Sequence, residues 1–397
     1  MMTCLLGRGR LQDALCPLAP MLGGRLMLLL LCLGAALMAQ PCAATPFQWD
    51  FTGSLNEPRY YHTATLLSDG RVLVAGGTGP RAETFPYPGL ASTELYDPAT
   101  GTWTVTGSLN DGRLLHTATL LFDGRVLVTG GWPDHTYGGI LSSAELYDPA
   151  TGNWTPTMSM SVGRAGHTAT LLSDGRVMVV GASRGSPHST ELYAPATENW
   201  SFTGSTTTSR FGYHSATLLA NGKVLVAGGY DSTGGHVTAR AEIYDPATGT
   251  WTPTGSLTTA RHDHKASLLA NGMVLVAGGA NDAGILASAE LYDPATGNWT
   301  PTGSLIVARW RHTATLLCNG RVLVTGGLSR SNSVASSEIY DPATGNWTVT
   351  GSLSDARGLH TATLISWGRV LAAGGNNNGA FLATAELYDS GPTTGCR

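Results

Sequence analysis

The chain of 397 residues carries 23 Lys and Arg against 27 Asp and Glu, a formal net charge of −4. This acidic balance argues against nucleic acid or an anionic membrane as the main partner, because both attract basic surfaces. Charged residues make up only 13% of the chain, and Thr, Ser, Gly and Ala take their place, a composition that suits an all-β domain outside the cytoplasm.

The first segment has the pattern of a secretory signal. Three arginines precede an uncharged apolar run, residues 26–39, and small residues follow it. The run is short for a membrane span. We therefore predict a signal peptide over residues 1–39, with cleavage after Ala39 or alternatively after Ala44. The mature chain, residues 40–397, is expected to be secreted, periplasmic or on the cell surface, without a membrane span.

Seven copies of one sequence unit, spaced by 47–54 residues, fill the rest of the chain. The cleanest copy reads A-R-x-x-H-T-A-T-L-L-x-N-G-R-V-L-V-T-G-G and, after a variable stretch, S-S-E-I-Y-D-P-A-T-G-N-W-T-V-T-G-S-L. A period of this size that carries four short strands indicates a β-propeller. The histidine of the unit recurs at His62, His116, His167, His214, His264, His312 and His360.

The first copy shows how one unit is expected to form the four strands of one blade. The predicted strands a, b, c and d are residues 62–67, 71–75, 93–96 and 102–106. Asp69-Gly70 makes the two-residue turn between strands a and b, because this dipeptide accepts the positive φ angles of a type I′ hairpin. Strand b ends at Gly76-Gly77.

Strands a and b are almost continuously apolar, which is typical of a sheet covered on both faces. In a propeller each blade is covered by its two neighbours. Tyr96 on strand c and Trp103 on strand d recur in the other copies and supply the bulk between blades. Their polar edges need hydrogen-bond partners when buried.

This pattern resembles the kelch repeat, in which an apolar strand closes in Gly-Gly and a Tyr and a Trp follow at fixed distance. The resemblance covers residues 45–390 and implies an all-β fold, a seven-bladed kelch β-propeller. Blade 3 is expected to be the least regular, because Ala182, Ala194 and Glu198 replace a glycine, an aspartate and a turn glycine of the unit.

The seventh copy ends at Asp389 without its Trp strand, and the missing piece lies at the other end of the propeller. Residues 46–55 contain Trp49 in the sequence context of a strand d. We predict that this N-terminal strand completes blade 7 beside strand c. Closing the ring in this way removes the free edges that an open array would expose.

Three cysteines remain after signal cleavage at Ala39. Cys42 and Cys396 flank the two strands of the closing pair and, because these strands are antiparallel, both leave blade 7 at the same end. We predict a Cys42–Cys396 disulfide that latches the ring. Cys318 lies beside an a–b turn and is interpreted as a spare thiol.

The strand order sorts the connections onto two faces. The d–a and b–c loops lie on one, which we call the first face, and the a–b and c–d turns lie on the second face. Arg59, just before strand a, and Glu94, which opens strand c, recur in every copy on the first face. A catalytic group is needed once, whereas these occur once per blade. We interpret them as structural pairs that pin neighbouring loops.

A binding site is expected on the first face, where the copies differ from one another. Stacking rings with polar neighbours suit sugars or peptide loops. The candidate residues are Tyr60, Tyr61, Trp132, His135, Tyr137, Phe211, Tyr213, His262, Asp263, Trp310 and Arg311. No cofactor or metal site is predicted, although His135, His236, His262 and Asp263 are the residues that could meet as metal ligands.

The resemblance implies a non-catalytic propeller that binds a protein or a glycan. One alternative is a carbohydrate-active or copper-radical-oxidase-like enzyme on a kelch scaffold. The strand phrase R-x-x-H-T-A-T-L-L-x-D-G-R-V-L-V-A-G-G is also similar to that of copper-radical oxidases of the galactose oxidase type. Those enzymes use a Tyr cross-linked to a Cys and an additional domain. Neither a first-face cysteine nor a domain after blade 7 is expected here. A passive surface scaffold is the other alternative.

Overall fold

Seven four-stranded antiparallel sheets account for almost all regular structure in the computed structural model. A single 3-10 turn, Ser366–Gly368, is the one helical element of the described residues. Six sheets are each formed by one sequence unit and the seventh adds the N-terminal strand Trp49–Phe51 to the last unit, which confirms the seven-bladed all-β propeller. The described residues are 47–80, 88–133, 139–181, 186–231 and 234–391.

Within each blade the strands pair in the order a-b-c-d. In blades 1 to 7, strands a are Thr63–Leu66, Thr117–Leu120, Thr168–Leu171, Ser215–Leu218, Lys265–Leu268, Thr313–Leu316 and Thr361–Leu364. Strands b are Val72–Ala75, Val126–Thr129, Val177–Val180, Val224–Ala227, Val274–Ala277, Val322–Thr325 and Arg369–Ala373. Strands c are Thr93–Asp97, Ala144–Asp148, Thr190–Ala194, Ala241–Asp245, Ala289–Asp293, Ser337–Asp341 and Ala385–Asp389.

Strands d, again from blade 1 to blade 7, are Thr102–Thr106, Asn153–Thr157, Asn199–Phe202, Thr250–Pro253, Asn298–Thr302, Asn346–Thr350 and Trp49–Phe51. The b–c loops of blades 4, 5 and 7 add short hairpins, which pair Tyr230–Asp231 with His236–Val237, Ala280–Asn281 with Gly284–Ile285, and Asn376–Asn377 with Ala380–Phe381.

Strand a is the innermost strand of every blade. Each strand a packs against the strands a of both neighbouring blades, and that of blade 7 packs against that of blade 1. The seven strands a therefore surround a central channel. The first residues of these strands lie at the first-face end of the channel.

Strand b is buried on both of its faces, which explains its unbroken apolar sequence. Val72 and Val74 pack against Leu371 of blade 7. Leu73, between them, packs against Val126 of blade 2. Alternate side chains thus contact opposite neighbours, and each fully buried Val or Leu contributes roughly 1.5–3 kcal/mol relative to an exposed one.

The Tyr and Trp of each blade tie it to the preceding blade. The rings of Tyr96 and Trp103 pack with centroids 5.0 Å apart. The Tyr96 hydroxyl hydrogen-bonds Thr52 Oγ1 at 2.8 Å, and Trp103 Nε1 donates to the Gly53 carbonyl at 2.7 Å. Thr52 and Gly53 belong to blade 7. The polar edges of the buried rings are thus satisfied across the blade interface.

The Gly-Gly that ends strand b is required by close contact with the next blade. Gly76 adopts φ 62°. A Cβ there would lie 2.7 Å from Cε1 of His116 and 2.6 Å from the carbonyl oxygen of Arg113. Both the left-handed backbone and the lack of space therefore demand glycine.

The N-terminal strand closes the ring as predicted. Trp49–Phe51 pairs with Ala385–Asp389, with Trp49 opposite Tyr388. The Trp49 ring is buried, and its centroid lies 5.2 Å from that of Tyr388. Blade 7 therefore combines strands from both ends of the propeller.

Blade 3 keeps its four strands despite its departures from the unit. Glu198 adopts φ 56° in the turn where Gly101 of blade 1 has φ 69°. A non-glycine residue in this conformation costs on the order of 1 kcal/mol. Its carboxylate accepts a hydrogen bond from Arg125 Nη1 at 3.0 Å. Trp200 is less buried than the equivalent Trp154, and Ala182 lies outside the described residues.

Cys318 is disulfide-bonded, so its interpretation as a spare thiol was wrong. All other cysteines of the chain lie outside the described residues, so its partner lies there as well. Cys42 and Cys396 are also outside, and their pairing stays a prediction. The physical reason for the error is proximity: strand c of blade 7 ends on the second face, where the neighbouring blade 6 presents its a–b turn.

The signal peptide over residues 1–39 and both cleavage sites lie outside the described residues. Among the residues that are described, no helix is long and apolar enough to cross a membrane.

Replacing Trp49 by Ala should lower the free energy of unfolding by about 3 kcal/mol, because the change leaves a cavity in the closing strand. The matched control is Trp367→Ala. That ring is 62% exposed, and its loss should cost within about 0.5 kcal/mol. Urea unfolding followed by circular dichroism measures both, and equal losses would contradict a closing role for Trp49.

Peptide mapping of the mature protein without reduction should find Cys318 linked to another peptide. With the signal removed after Ala39, that peptide contains Cys42 or Cys396. A free Cys318 together with a Cys42–Cys396 link would restore the sequence-based pairing and contradict the Cys318 disulfide.

Candidate functional site

A buried arginine joins two loops of the first face in every blade. In blade 1, Arg59 Nη2 donates to Glu94 Oε1 at 2.9 Å, and Nη1 donates to the carbonyl oxygens of Gly76 and Ser92 at 2.9 Å each. The backbone N–H of Asn56 donates to the other carboxylate oxygen of Glu94 at 2.7 Å. The arginine is fully buried. The pair thus holds the d–a loop against the b–c loop.

The same Arg–Glu ion pair recurs with Nη2–Oε1 distances of 2.6–3.2 Å. The remaining pairs are Arg113–Glu145, Arg164–Glu191, Arg210–Glu242, Arg261–Glu290, Arg309–Glu338 and Arg357–Glu386. The pair recurs in all seven blades, as expected of a scaffold and not of a catalytic group.

The histidines form a ring of hydrogen bonds around the channel. In six blades the Nε2 of the histidine pairs with the first hydroxyl residue of strand a of the preceding blade, at 2.9–3.2 Å. The pairs are His62–Thr361, His116–Thr63, His167–Thr117, His214–Thr168, His264–Ser215 and His360–Thr313. Burial lowers the pKa of His62, His167 and His214 to about 3, so these rings are neutral.

This ring is interrupted between blades 5 and 6. Lys265 stands where the other blades have Thr or Ser. The neighbouring His312 is 1% exposed, and its Nε2 has no hydrogen-bond partner among the described residues. The lysine side chain is exposed to the channel.

A second ring lies just above the first and is made of backbone groups. The residue before each histidine has a positive φ of 51–70°, and its N–H donates to the carbonyl oxygen of the equivalent residue in the preceding blade at 2.8–3.4 Å. The circle closes through Tyr61 and Leu359. Its members are Tyr61, Leu115, Gly166, Tyr213, Asp263, Arg311 and Leu359. We call it the mouth ring.

The mouth ring explains why these positions vary. The hydrogen bonds are made by the backbone, so they do not depend on the side chain. Six of the seven residues are not glycine, and each accepts strain of on the order of 1 kcal/mol to hold the left-handed conformation. The side chains line a cavity of ≈ 220 Å³ at the end of the channel.

Arg311 is the centre of an aromatic cluster in this mouth. Its guanidinium carbon lies 4.3 Å from the ring centroid of Trp310, 5.6 Å from that of Tyr61 and 5.9 Å from that of Tyr213. Cation–π attraction of this kind contributes roughly 0.5–2 kcal/mol per pair, most where water is excluded. The four side chains come from blades 1, 4 and 6, so only the closed ring brings them together.

Asp263 supplies the negative charge of the mouth. His262 Nδ1 lies 2.9 Å from one oxygen of its carboxylate, and Arg311 Nε lies 3.5 Å from the other. The His262 ring packs edge-on against Trp310, with centroids 6.0 Å apart. Burial raises the pKa of Tyr61 above its ordinary value of 10.0, so this phenol stays protonated and can donate a hydrogen bond.

The structure thus gathers six of the candidate residues at the channel mouth. They are Tyr61, Tyr213, His262, Asp263, Trp310 and Arg311. Tyr60 lies beside them and stacks on Phe381 at 4.9 Å.

Trp132 and Phe211 occupy the flanking loops of blades 2 and 4. Trp132 forms a β-bridge with Leu114, and the N–H of Phe211 donates to the carbonyl of Tyr230 at 2.8 Å. His135 and Tyr137 lie outside the described residues. In the described part of the chain, no three His, Cys, Asp or Glu side chains form a group that could hold a metal ion.

Sequence reasoning missed Lys265 and His312. Aligning the seven copies would have shown the signal, because only the fifth has Lys after its histidine. The sequence could not reveal that Nε2 of His312 is unpaired, because the hydroxyl that pairs with each histidine comes from the preceding blade.

A larger cavity, ≈ 750 Å³, lies on the second face between blades 2 and 3. Arg125 there pairs with Glu198 at 3.0 Å, and Arg176 pairs with Asp174 at 2.6 Å. Both arginines are already neutralised and none of the candidate residues lies there, so we place the candidate site at the channel mouth.

Comparison with known families decides the classification. The model of the KLHDC2/KLHL20/DRC7 kelch-repeats domain matches residues 115–327 and 213–390. The chain belongs to the kelch-repeat family. This result confirms the resemblance drawn from the Gly-Gly, Tyr and Trp pattern.

Individual kelch relatives match parts of the chain. Spermatocyte protein spe-26 of Caenorhabditis elegans is 32% identical over 35% of this chain and 24% of its own length. Kelch-like protein terF of Aspergillus terreus is 31% identical over 37% of this chain and 35% of its own length. Human Kelch-like protein 15 is 34% identical over 27% of this chain and 17% of its own length. The chain thus spans a minor part of these relatives.

A solved structure shares the fold. It is described as a novel fungal alcohol oxidase with catalytic diversity among the AA5 family, in complex with copper, and it superposes with a TM-score of 0.70 over 87% of this chain and 76% of its own. The sequence identity is 19%, so the likeness concerns the propeller fold alone.

The neutral histidines predict acid sensitivity of the kelch propeller. A histidine whose pKa falls from 6.5 in the unfolded chain to about 3 in the folded protein, as for His62, stabilises the fold fully above pH 6.5. That contribution is lost as the pH falls from 6.5 towards 3, at about 1.4 kcal/mol per pH unit for each histidine.

The free energy of unfolding, measured in urea between pH 7.5 and 4.5, should therefore fall steeply. His62→Gln should reduce the slope by about one proton, because the amide does not titrate. Equal slopes in the parent and the variant would show that His62 does not resist protonation.

Proposed function

We propose that this kelch propeller is a secreted or cell-surface, non-catalytic binding protein that recognises a protein or a glycan through its first face. The observation that supports this proposal is the aromatic and cationic cluster at the channel mouth. Every blade supplies the same scaffold of buried Arg–Glu pairs, whereas the mouth ring and its neighbours carry different side chains in each blade.

The chemistry of the cluster suits a macromolecular surface. Trp, Tyr and Arg are the residues that most often anchor protein interfaces, because they offer large rigid area together with hydrogen bonds. Trp310, Tyr213 and Tyr60 are each half-buried, so their rings are held in place and still present a face to solvent. Little side-chain freedom would be lost on binding.

A glycan is the second ligand class within this proposal. Tyr60 and Phe381 stack with an interplanar angle of 19°, and the hairpin that carries Phe381 also carries Asn376 and Asn377. Parallel rings beside amide groups offer the stacking surface and the hydrogen bonds that a sugar ring requires.

The proposal predicts that first-face aromatics control retention of a ligand. The mature protein, residues 40–397, is immobilised beside the Tyr60→Ala/Trp310→Ala variant and exposed to a glycan panel and to secreted and surface proteins of the host. Loss of two anchors should weaken binding at least about 30-fold, or 2 kcal/mol.

The matched control is Phe122→Ala/Trp367→Ala on the second face, where both rings are exposed. It should retain the ligand like the parent. Equal retention by all three proteins, with circular dichroism showing that each is folded, would contradict a first-face binding site and favour a passive scaffold.

A further inference from the structure

Lys265 interrupts the histidine ring, and no other copy of the unit has a lysine at this position. Six blades place a hydroxyl at this position and use it to satisfy a histidine of the next blade. Lysine has no acceptor atom and its ammonium only donates. At this one place the scaffold gives up a hydrogen bond and gains a cation inside the channel.

Because Lys265 replaces the hydroxyl residue, His312 lacks the hydrogen-bond partner that the other six histidines have. Its side chain is 1% exposed, and neither ring nitrogen has a hydrogen-bond partner among the described residues. A buried polar group without a partner is destabilising, because it has lost its hydrogen bonds to water without replacing them. Burial lowers the pKa of His312, and the charges of Arg309 and Lys265 lower it further, so the imidazole is neutral and carries one N–H that can donate.

The charges in the channel do not balance. Of the residues that line the cavity, Lys265 and Arg311 are cations and Asp263 is the one acid. Burial lowers the pKa of each lining histidine, so these rings are neutral. Both carboxylate oxygens of Asp263 already face a partner, at 2.9 Å in His262 and 3.5 Å in Arg311. No acceptor for Lys265 Nζ is found in the described residues. Within the part of the chain that the structure describes, one positive charge is therefore left without an anion.

The space fits a small group. The cavity that Lys265, Arg311 and His312 line measures ≈ 220 Å³, below the roughly 300–1,000 Å³ typical of pockets for drug-sized ligands. The lysine is exposed to the channel and strands a surround it. Desolvation lowers its pKa below 10.5, while Asp263 opposes the change. The ammonium is thus reachable from the mouth but poorly hydrated, which strengthens its attraction for an anion.

We propose that the central channel binds one small oxyanion group, a carboxylate or a phosphate, through Lys265 Nζ, the Arg311 guanidinium and the ring N–H of His312. The ammonium supplies positive charge, and the guanidinium offers paired donors in one plane. The buried ring N–H of His312 gains an acceptor by donating to the anion. This site rests on the interruption of the histidine ring and holds whether or not the first face binds a macromolecule.

Calorimetric titration of the mature protein tests the site. Sodium acetate and sodium phosphate are the probes, and ionic strength is held constant with sodium chloride. At least one of the two should bind saturably at one site per chain, and which of them binds more tightly identifies the source as a carboxylate or a phosphate. Absence of saturable binding with both probes would overturn the proposal.

Lys265→Thr is the decisive variant, because five of the other six blades have Thr at the equivalent position of the ring. It should weaken the anion at least tenfold, or about 1.4 kcal/mol, while raising the thermal midpoint in chloride buffer, since the hydroxyl can again pair with the histidine. Unchanged affinity in this variant would also overturn the proposal.

Lys223→Thr is the control for a general effect of charge. Lys223 lies on the second face and pairs with Asp245 at 3.0 Å, so its removal changes the net charge equally and should leave anion affinity unchanged. An equal loss in both variants would reduce the effect to non-specific attraction and contradict a channel site. Trp310→Ala/Tyr60→Ala tests the proposed macromolecular binding separately, because these residues do not supply the anion donors.

Discussion

The buried guanidinium of each blade joins the d–a and b–c loops beyond the ends of the four strands. The backbones of these loops meet only through isolated bridges in the described residues, such as that of Leu114 with Trp132. Arg59 and its equivalents bond both loops and a buried carboxylate at once. Burying a charge in this way is favourable only when the charge is paired and hydrogen-bonded, and the arginine and the glutamate accordingly occur together in every blade. In the described part of the first face, this contact holds the d–a loops against the b–c loops.

With the loops held in this way, the residue before each histidine can close a circle of backbone hydrogen bonds. The circle makes no demand on side chains, so the mouth of the channel tolerates tyrosine, leucine, glycine, aspartate and arginine at equivalent positions. The propeller thus separates the backbone contacts that close the mouth ring from the side chains that the ring presents. The strained backbone is kept in every blade, and the side chains that it presents are free to change.

The two proposals concern different depths of the same opening. The outer aromatics, such as Trp310 and Tyr60, offer area to a large partner. Lys265 and His312 lie within the channel, where only a small group reaches them. Arg311 belongs to both levels, because its guanidinium is packed among the outer rings while it lines the cavity below.

The repeated unit by itself determined the blade number, the strand order, the closing strand at Trp49 and the structural interpretation of the Arg and Glu sets. These follow from local patterns and from the need to cover both faces of every sheet. The tertiary structure alone decided which variable side chains meet. Tyr61, Tyr213 and Arg311 are far apart in sequence and adjacent only because a ring of seven blades points equivalent positions at one axis. The same is true of the Cys318 disulfide, which the sequence did not predict, and of His312, whose missing partner belongs to another blade. Contacts between blades depend on the geometry of the closed ring, and this geometry cannot be read from the sequence of one repeat.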